Sequence, residues 1–191
     1  FSRYLEALDL DPPAVNTAAQ VGHSTLRVDS MHDLQRPASN NETNAMKQKL
    51  EKSLESGAIG FSTGLAYQPA SHASTEEVIS LAKSLRPARS IHTTHMRNEG
   101  NSIKDSLEET FQIGLEAEVP IVISHHKVGG KANFGRSKET LAMIDKARKH
   151  QPLTFDVYPY IASSTILGVK GLDSASKIIV TWSKKRPDLA G

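Results

Sequence analysis

Apolar positions recur along the chain with two alternating periods, which predict short strands separated by helices. Strands are indicated where short apolar runs end in glycine or in polar residues, and helices where apolar residues repeat every three or four positions. A further helix is predicted at residues 1–8. The predicted strands cover residues 14–22, 58–65, 91–95, 120–125 and 153–158, and the helices between them carry the apolar sets Met46, Leu50 and Leu54; Val78, Leu81 and Leu85; Ile103, Leu107 and Phe111; and Leu141, Ile144 and Ala147.

The starts of two helices are marked by residues that commonly cap them. Ser74 and Glu77 match a capping box, and Asn101 or Ser102 is placed to cap the helix that follows. Residues 28–41 hold aspartate, proline, serine and asparagine without a regular period, so they are predicted to form a loop.

The strands that end at His95 and His125 are separated by one helix, and together they form a strand–helix–strand unit of about thirty residues. Because such a crossover joins parallel strands that lie side by side, both histidines are predicted at the carboxyl edge of the sheet. Two neighbouring imidazoles there are candidate ligands of one divalent metal ion. Arg97, Glu99 and Lys127 follow the same strand ends, and this concentration of charge favours a functional site over two unrelated histidines.

Five strands alternating with helices predict an α/β fold with a parallel sheet. Polar groups at the end of one strand after another favour a (β/α)8 barrel over an open sheet. A complete barrel usually needs about 250 residues, so 191 residues would supply roughly its third to seventh strands. Residues 1–8 and 187–191 have the patterns of interrupted helices, and the sequence is therefore expected to be the central portion of a longer barrel. Residues 178–183 fit either a short strand or part of a helix.

The composition is that of an ordinary globular protein, with 38% hydrophobic and 23% charged residues. The 23 basic and 21 acidic residues are scattered along the chain and leave a net charge of +2, which gives no electrostatic case for a nucleic-acid or membrane partner. A small molecule is the expected partner. No apolar run resembles a transmembrane helix or a signal peptide, so the protein is expected to be cytoplasmic. Because the chain has no cysteine, it can offer a metal nitrogen and oxygen atoms but no thiolate.

Two further histidines and one loop have competing interpretations. His23 could line a site, yet a hydrogen-bonded structural histidine is the preferred interpretation. His126 follows His125 directly, and because neighbouring strand residues point to opposite faces, it is expected to face away from the metal. Residues 128–135 could cover a site, but they lack the pattern of a phosphate-binding loop.

Four motifs follow one another along the chain: a glycine-containing strand at residues 57–67, Thr-His-Met-Arg-Asn-Glu-Gly at 94–100, Ile-Ser-His-His-Lys at 123–127 and Asp-Val-Tyr-Pro-Tyr at 156–160. Together they resemble the signatures of the N-acyl-D-amino-acid deacylases, the D-aminoacylase branch of the amidohydrolase superfamily. The resemblance extends over essentially the whole chain. It implies a zinc-dependent hydrolase of linear amides on a metallo-dependent (β/α)8 barrel, with a small β-sandwich domain built from segments outside this sequence.

The resemblance also implies roles for individual residues. His95 and His125 match the two histidines that bind the tightly held zinc. Tyr67 matches a tyrosine that faces the scissile carbonyl, so it is predicted to be catalytic. The residues predicted to bind the substrate are Tyr67, Arg97, Lys127, Tyr158 and Ser164, and Lys127, Tyr158 and Ser164 match groups that hold its carboxylate.

Lys127 and Tyr158 also have structural interpretations. Lys127 could form a salt bridge to a neighbour such as Glu99, and Tyr158 could be an amphipathic residue at the edge of the core. Because Lys127 follows His125 by two residues, it is expected on the same side of the strand, near the metal. A cation there would repel zinc unless an anion lay between them, and the substrate carboxylate is the expected anion.

The sequence also departs from the family pattern. It contains no His-x-His pair, no cysteine and no counterpart of the late catalytic aspartate, since Asp156 belongs to another motif. The isolated 191-residue chain is therefore expected to be inactive. Two alternatives stay open. One is a cyclic-amide hydrolase of the dihydroorotase or hydantoinase kind, although residues 60–65 offer no lysine for carboxylation. The other is a barrel relic that binds a ligand or partner without turnover.

Overall fold

A computed structural model of the protein describes residues 1–165, 175 and 177–190. These residues form one parallel sheet, with helices before and between its strands. The strands are β1 (Val21–Gly22), β2 (Gly60–Gly64), β3 (Ile91–His95), β4 (Ile121–Ile123) and β5 (Leu153–Phe155), and the helices are α1 (Ser2–Leu10), α2 (His23–Ser30), α3 (Asn40–Glu55), α4 (Thr75–Ala82), α5 (Ile103–Ala117) and α6 (Ser137–Ala147).

The five strands are paired in chain order, and every pair is parallel. Consecutive order is what successive strand–helix units of a (β/α)8 barrel produce, whereas a doubly wound sheet reverses its order at a switch point. The predicted α/β architecture, a portion of such a barrel, is therefore confirmed.

The core lies between the strands and the helices that follow them. Alternate strand residues are buried, as on β3, where His92 and Thr94 are enclosed while the residues on either side are half-exposed. Helices α3, α4, α5 and α6 pack against one another in sequence order. Their apolar side chains, such as Leu50 and Leu107, join Ile123 of β4 in one buried cluster. The half-exposed strand residues, among them Thr93 and His95, lie on the other face of the sheet.

The first strand region differs from its prediction. Strand β1 has two residues instead of the predicted 14–22, because it lies at the edge of the described sheet and pairs only with β2, through Val21 and Gly22. Residues 23–30, of which 28–30 were predicted as loop, form α2 and bury His23, Leu26 and Arg27. This helix has a short polar sequence whose burial comes from long-range contacts, which a local pattern does not reveal.

Helix capping is partly as predicted. Helix α3 begins with a complete capping box of Ser39 and Glu42, which the sequence analysis did not identify. At α4 the predicted box is half formed. The Ser74 hydroxyl accepts from the Glu77 N–H at 3.2 Å, but the Glu77 carboxylate binds Arg27 instead of returning to the cap. A buried arginine is the stronger partner because both groups are charged.

The structure tests two further predictions, the start of helix α5 and the conformation of residues 178–183. Helix α5 begins directly after Ser102, at the predicted place, but Ser102 makes no side-chain capping bond. In residues 178–183, predicted as strand or helix, regular pairing is limited to a bridge between Val180 and Ala190. Residues 166–174 lie outside the described part of the chain. Within that described part, no helix is both long and apolar enough to span a bilayer.

His92 is a fully buried histidine on the helix-facing side of β3. Its ring stacks on Phe61, and its Nδ1 lies 3.2 Å from the Phe61 carbonyl oxygen. Burial lowers the pKa of His92 from 6.5 to about 4, and the carbonyl only partly opposes this effect. Between pH 6.5 and about 4 the His92 side chain binds a proton in the unfolded chain but not in the folded chain. The free energy of unfolding should therefore fall as the pH is lowered through this window.

Replacing His92 by Gln should remove this part of the pH dependence. The wild-type protein is expected to lose about 3 kcal/mol between pH 7 and 4 through His92, on top of losses from other groups, and His92→Gln should lack that component. Urea unfolding at three pH values measures it. The exposed His150, replaced by Gln, is the control and should keep the wild-type dependence. Parallel stability profiles for wild type and His92→Gln would contradict the assignment.

Candidate metal centre

The two predicted metal ligands meet at the carboxyl edge of the sheet. His95 is the last residue of β3, and its Nδ1 lies 3.0 Å from Nε2 of His125. The strand register alone does not produce this contact. Thr94 pairs with Ile123, so the residue level with His95 is Ser124, and an extended strand would turn His125 to the opposite face.

A left-handed backbone turn brings His125 back to His95. Strand β4 ends at Ile123, and His125 has φ +43°. This conformation costs an ordinary residue roughly 1–2 kcal/mol. Asp156, just after β5, holds the turn from the neighbouring strand. Its Oδ1 accepts from the His125 N–H at 2.7 Å, and its carbonyl oxygen accepts from the His126 N–H at 2.8 Å.

Glu99 completes a three-residue cluster with the two histidines. Each of the three side chains offers a donor atom, and these atoms all lie within 4.8 Å of one another. Two nitrogens bound to one tetrahedral zinc lie about 3.3 Å apart, close to the spacing of His95 Nδ1 and His125 Nε2. Nδ1 of His125 lies 3.1 Å from Glu99 Oε1. A metal-binding histidine commonly donates its other N–H to such a carboxylate. The donor set therefore fits a divalent metal.

Burial favours the metal-binding form of His95. It lowers the pKa of the imidazole, an effect opposed by the Glu99 carboxylate and reinforced by His125 and Lys127. A lowered pKa keeps the imidazole neutral near pH 7, and the neutral form is the one that can donate a lone pair to a metal.

Lys127 lies beside the cluster of His95, Glu99 and His125, as predicted from its position two residues after His125. Its Nζ is 2.5 Å from Glu99 Oε2 and 3.1 Å from the His125 carbonyl oxygen. The salt bridge to Glu99, named above as the structural alternative, is thus present. Glu99 supplies the anion between Lys127 and the histidines that the sequence analysis expected from a substrate. Tyr158 lies next to it, with the Lys127 Nζ 5.7 Å from its ring centroid.

The remaining residues predicted to belong to the site are Tyr67, Tyr158, Ser164 and Arg97. Tyr67 packs on His95, with ring centroids 4.8 Å apart. Burial raises the pKa of Tyr158, with a smaller contribution from Glu99. Ser164 is exposed on the irregular segment after β5. The guanidinium of Arg97, also predicted to bind substrate, donates to Glu109 and to backbone carbonyls of the loop before α4.

The two histidines expected to be structural, His126 and His23, are both buried and lie within hydrogen-bonding distance of a side chain. His126 is buried, with Nε2 3.0 Å from the Thr140 hydroxyl of α6, so it faces away from the cluster as predicted. His23 is also buried, and its Nε2 lies 2.9 Å from Glu77 Oε1. The roles of Glu99 within the donor cluster and of Asp156 at the turn were not predicted. Glu99 belongs to the same charged segment after β3 as Arg97, which is a local signal of a site, whereas no local signal indicates the Asp156 contact.

The chain has close relatives among characterised proteins. D-aminoacylase of Alcaligenes xylosoxydans xylosoxydans is 51% identical over 191 residues, which are 100% of this chain and 40% of the relative. A crystal structure of D-aminoacylase, described as defining a novel subset of amidohydrolases, is matched with a TM-score of 0.96 at 53% identity over 100% of this chain and 40% of that one. N-acyl-D-glutamate deacylase from Bordetella bronchiseptica, solved with zinc and a phosphonate inhibitor, is matched with a TM-score of 0.94 at 42% identity over the same shares. No family model matches the chain.

These similarities cover the chain from end to end, and the superposition includes the strands that carry the histidine cluster. The chain spans about two fifths of the length of the relatives it matches. This 191-residue chain is therefore a homologue of the D-aminoacylases and N-acyl-D-amino-acid deacylases.

Proposed function

We propose that this chain is the central barrel segment, about strands three to seven, of a zinc-dependent enzyme that hydrolyses N-acyl-D-amino acids to a D-amino acid and a carboxylate. The observation that supports this most is the contact between His95 Nδ1 and His125 Nε2 at the carboxyl edge of the sheet, in a chain 51% identical to a D-aminoacylase. The catalytic groups that this chain lacks would come from other parts of the complete protein.

His95 and His125 would hold the zinc, with Glu99 beside them. A zinc ion at this position supplies a bound water of lowered pKa and polarises the amide carbonyl. Glu99 accepts a hydrogen bond from His125 Nδ1 when Nε2 faces the metal, which fixes the tautomer and the ring orientation. Zinc is also the metal in the structure of the Bordetella bronchiseptica relative.

Tyr67 would bind the substrate at its reacting amide. Its ring already packs on His95, so the phenol lies beside the candidate metal site. A tyrosine O–H directed at the developing oxyanion stabilises the transition state by a few kcal/mol, about the effect of one oxyanion-hole donor. Because turn hydrogen bonds within residues 67–73 fix the loop around Tyr67, this donor would be oriented before the substrate arrives.

Lys127, Tyr158 and Ser164 would surround the substrate's α-carboxylate. An ammonium group has three N–H donors. Two of those on Lys127 are directed at Glu99 and at the His125 carbonyl. The Lys127 Nζ also lies 2.9 Å from His125 Nδ1, but when Nδ1 carries a proton and donates to Glu99 it cannot accept from Lys127, so the third N–H is available to a substrate carboxylate. Such a contact would select free acids and make the enzyme an exo-acting deacylase.

The function is tested on the complete protein that contains this chain. It should hydrolyse an N-acetyl-D-amino acid in preference to its L-isomer and to a cyclic amide, and zinc removal should abolish the activity until zinc is restored. The isolated 191-residue chain should be inactive, since loss of a catalytic proton acceptor costs about 10²-fold or more. Turnover confined to cyclic amides would favour the dihydroorotase-like alternative. A complete protein that holds no stoichiometric zinc would favour the non-catalytic one.

Asp156 should control zinc affinity through the turn at His125. Asp156→Ala removes the oxygen that accepts from the His125 N–H, so the imidazole should lose its fixed direction and zinc should bind about 10-fold more weakly. Asp156→Asn keeps an oxygen acceptor and should bind zinc nearly as well as wild type. Competition with a chromogenic chelator measures both. Equal affinities for the two variants would show that the turn does not depend on this bond.

Lys127→Met should distinguish recognition of the substrate from support of the site. For free acids, loss of a charge-assisted contact should lower kcat/KM by an amount equivalent to about 1.5–3 kcal/mol. Substrates whose α-carboxylate is capped as an amide should show almost no change. Lys131→Met, at an exposed lysine in the following loop, is the matched control and should affect neither substrate. An equal loss for both substrate types would mean that Lys127 acts through its ion pair with Glu99.

A further inference from the structure

The loop between β2 and α4, residues 65–74, carries Tyr67 to the metal centre. Besides packing on His95, the Tyr67 ring occupies space at the end of β2. A Cβ added to Gly64 would lie 2.8 Å from Cδ2 of Tyr67, too close for any side chain there without displacement of the ring. The Tyr67 ring therefore fills the space that a side chain at position 64 would occupy. Because Tyr67 belongs to the loop, a shift of the loop would move the ring.

Local hydrogen bonds make the loop one unit. The Tyr67 carbonyl oxygen accepts from the N–H groups of Ala70 and Ser71 at 2.9 and 2.8 Å, and the Ala73 N–H donates to the Ala70 carbonyl at 3.0 Å. These turns tie Tyr67 to residues 70–73, but they do not attach the unit to the barrel. Attachment requires bonds to other elements.

Arg97 supplies such bonds from the β3 side. Its Nη1 donates to the Ser71 carbonyl at 2.8 Å and its Nη2 to the Ala73 carbonyl at 3.0 Å. Glu109 of α5 balances the charge by accepting from Nε at 2.9 Å and from Nη2 at 2.7 Å. The same carboxylate accepts from the Thr75 hydroxyl, in the first turn of α4, at 2.9 Å. Arg97 thus joins β3, α5 and the loop.

Arg27 binds the same loop. It is fully buried on α2, and its Nε donates to the Pro69 carbonyl at 2.6 Å. Its Nη1 donates to both carboxylate oxygens of Glu77 at 2.6 Å, so this arginine too is neutralised by a glutamate. The two arginines therefore bind alternate carbonyls of one short segment, those of Pro69, Ser71 and Ala73.

The bonding of Arg97 is hard to reconcile with binding a substrate. A guanidinium has five N–H groups. Four hydrogen bonds from Arg97 go to Glu109 and to the loop. One Nη1–H then remains, so a bidentate contact to another anion would require the planar fork to release one of its present partners.

We propose that Arg97 is a positioning residue: together with Arg27 it fixes the loop of residues 65–74 so that Tyr67 stays against His95, and it does not bind the substrate. The effect on catalysis rests on the proposed function of Tyr67. The attachment of the loop does not.

The kinetic test uses the complete protein with an N-acetyl-D-amino acid. Arg97→Met should lower kcat by about 10–100-fold with little change in KM, because small misplacements of a catalytic group have effects of that size. In a Tyr67→Phe background the same substitution should cost less than about threefold, since the group being positioned is gone. Arg97→Lys keeps the charge but cannot bridge three acceptors, so it should restore only part of kcat. A rise in KM that persists in the Tyr67→Phe background would overturn the proposal and restore Arg97 as a substrate ligand.

The structural test is independent of activity. Hydrogen exchange at the amides of Ala70, Ser71 and Ala73 should accelerate about 10-fold or more in Arg97→Met, while α5 keeps its protection. Arg86→Met, which breaks an exposed ion pair with Glu118, is the matched control and should leave the loop unchanged. Unchanged exchange in Arg97→Met overturns the proposal. If the complete protein hydrolyses no N-acyl-D-amino acid, the proposed function fails, while exchange still decides whether Arg97 holds the loop.

Discussion

The candidate metal centre depends on one backbone turn, the left-handed conformation at His125. Parallel pairing sets Ser124 level with His95, and regular alternation would then send His125 toward the helices. The turn reverses this direction, so His125 joins His95 and His126 takes the buried place against Thr140. Asp156, just after β5, stabilises this turn. The position of His125 relative to His95 on β3 therefore depends on a residue that follows a third strand.

The centre is also a compact arrangement of charge. Glu99 lies between the ammonium of Lys127 and the two imidazoles, and it contacts all three. A single carboxylate can orient a lysine and a histidine together only because both reach it from the segment that follows β4. The elements around the centre use the same principle, since Glu77 neutralises the fully buried Arg27 and Glu109 neutralises the half-buried Arg97. A buried cation such as Arg27 is tolerated because it has a matched carboxylate and backbone acceptors.

Much of this architecture is readable from the sequence. The unit from β3 through α5 to β4 follows from apolar periodicity and crossover rules, and β3 has the predicted bounds, residues 91–95. The meeting of His95 and His125 also follows, but the sequence argument took their strand ends as equivalent, and they differ by one residue. Periodicity predicts where a strand runs, whereas the register and the turn that follows depend on contacts with other strands.

The predictions that failed or were missed share a physical cause. Glu77 has the spacing of a capping box, yet its carboxylate binds Arg27, fifty residues earlier in the chain. Helix α2 is held by that same buried arginine and by His23, so its amphipathic pattern is weak. Arg97 follows His95 in a motif and is predicted to bind the substrate, and its bonds to the loop before α4 were not foreseen. Long-range ion pairs leave no periodic trace in a sequence.

The pairing of two arginines with alternate carbonyls also limits how this region can vary in length. Insertion of one residue between Pro69 and Ala73 would move a carbonyl out of phase with its guanidinium, and at least one buried N–H or C=O would lose its partner. Surface loops commonly accept such insertions at little cost. This one should not, so differences in length among proteins that share this barrel wall are expected in other loops, which can vary without moving Tyr67 from His95.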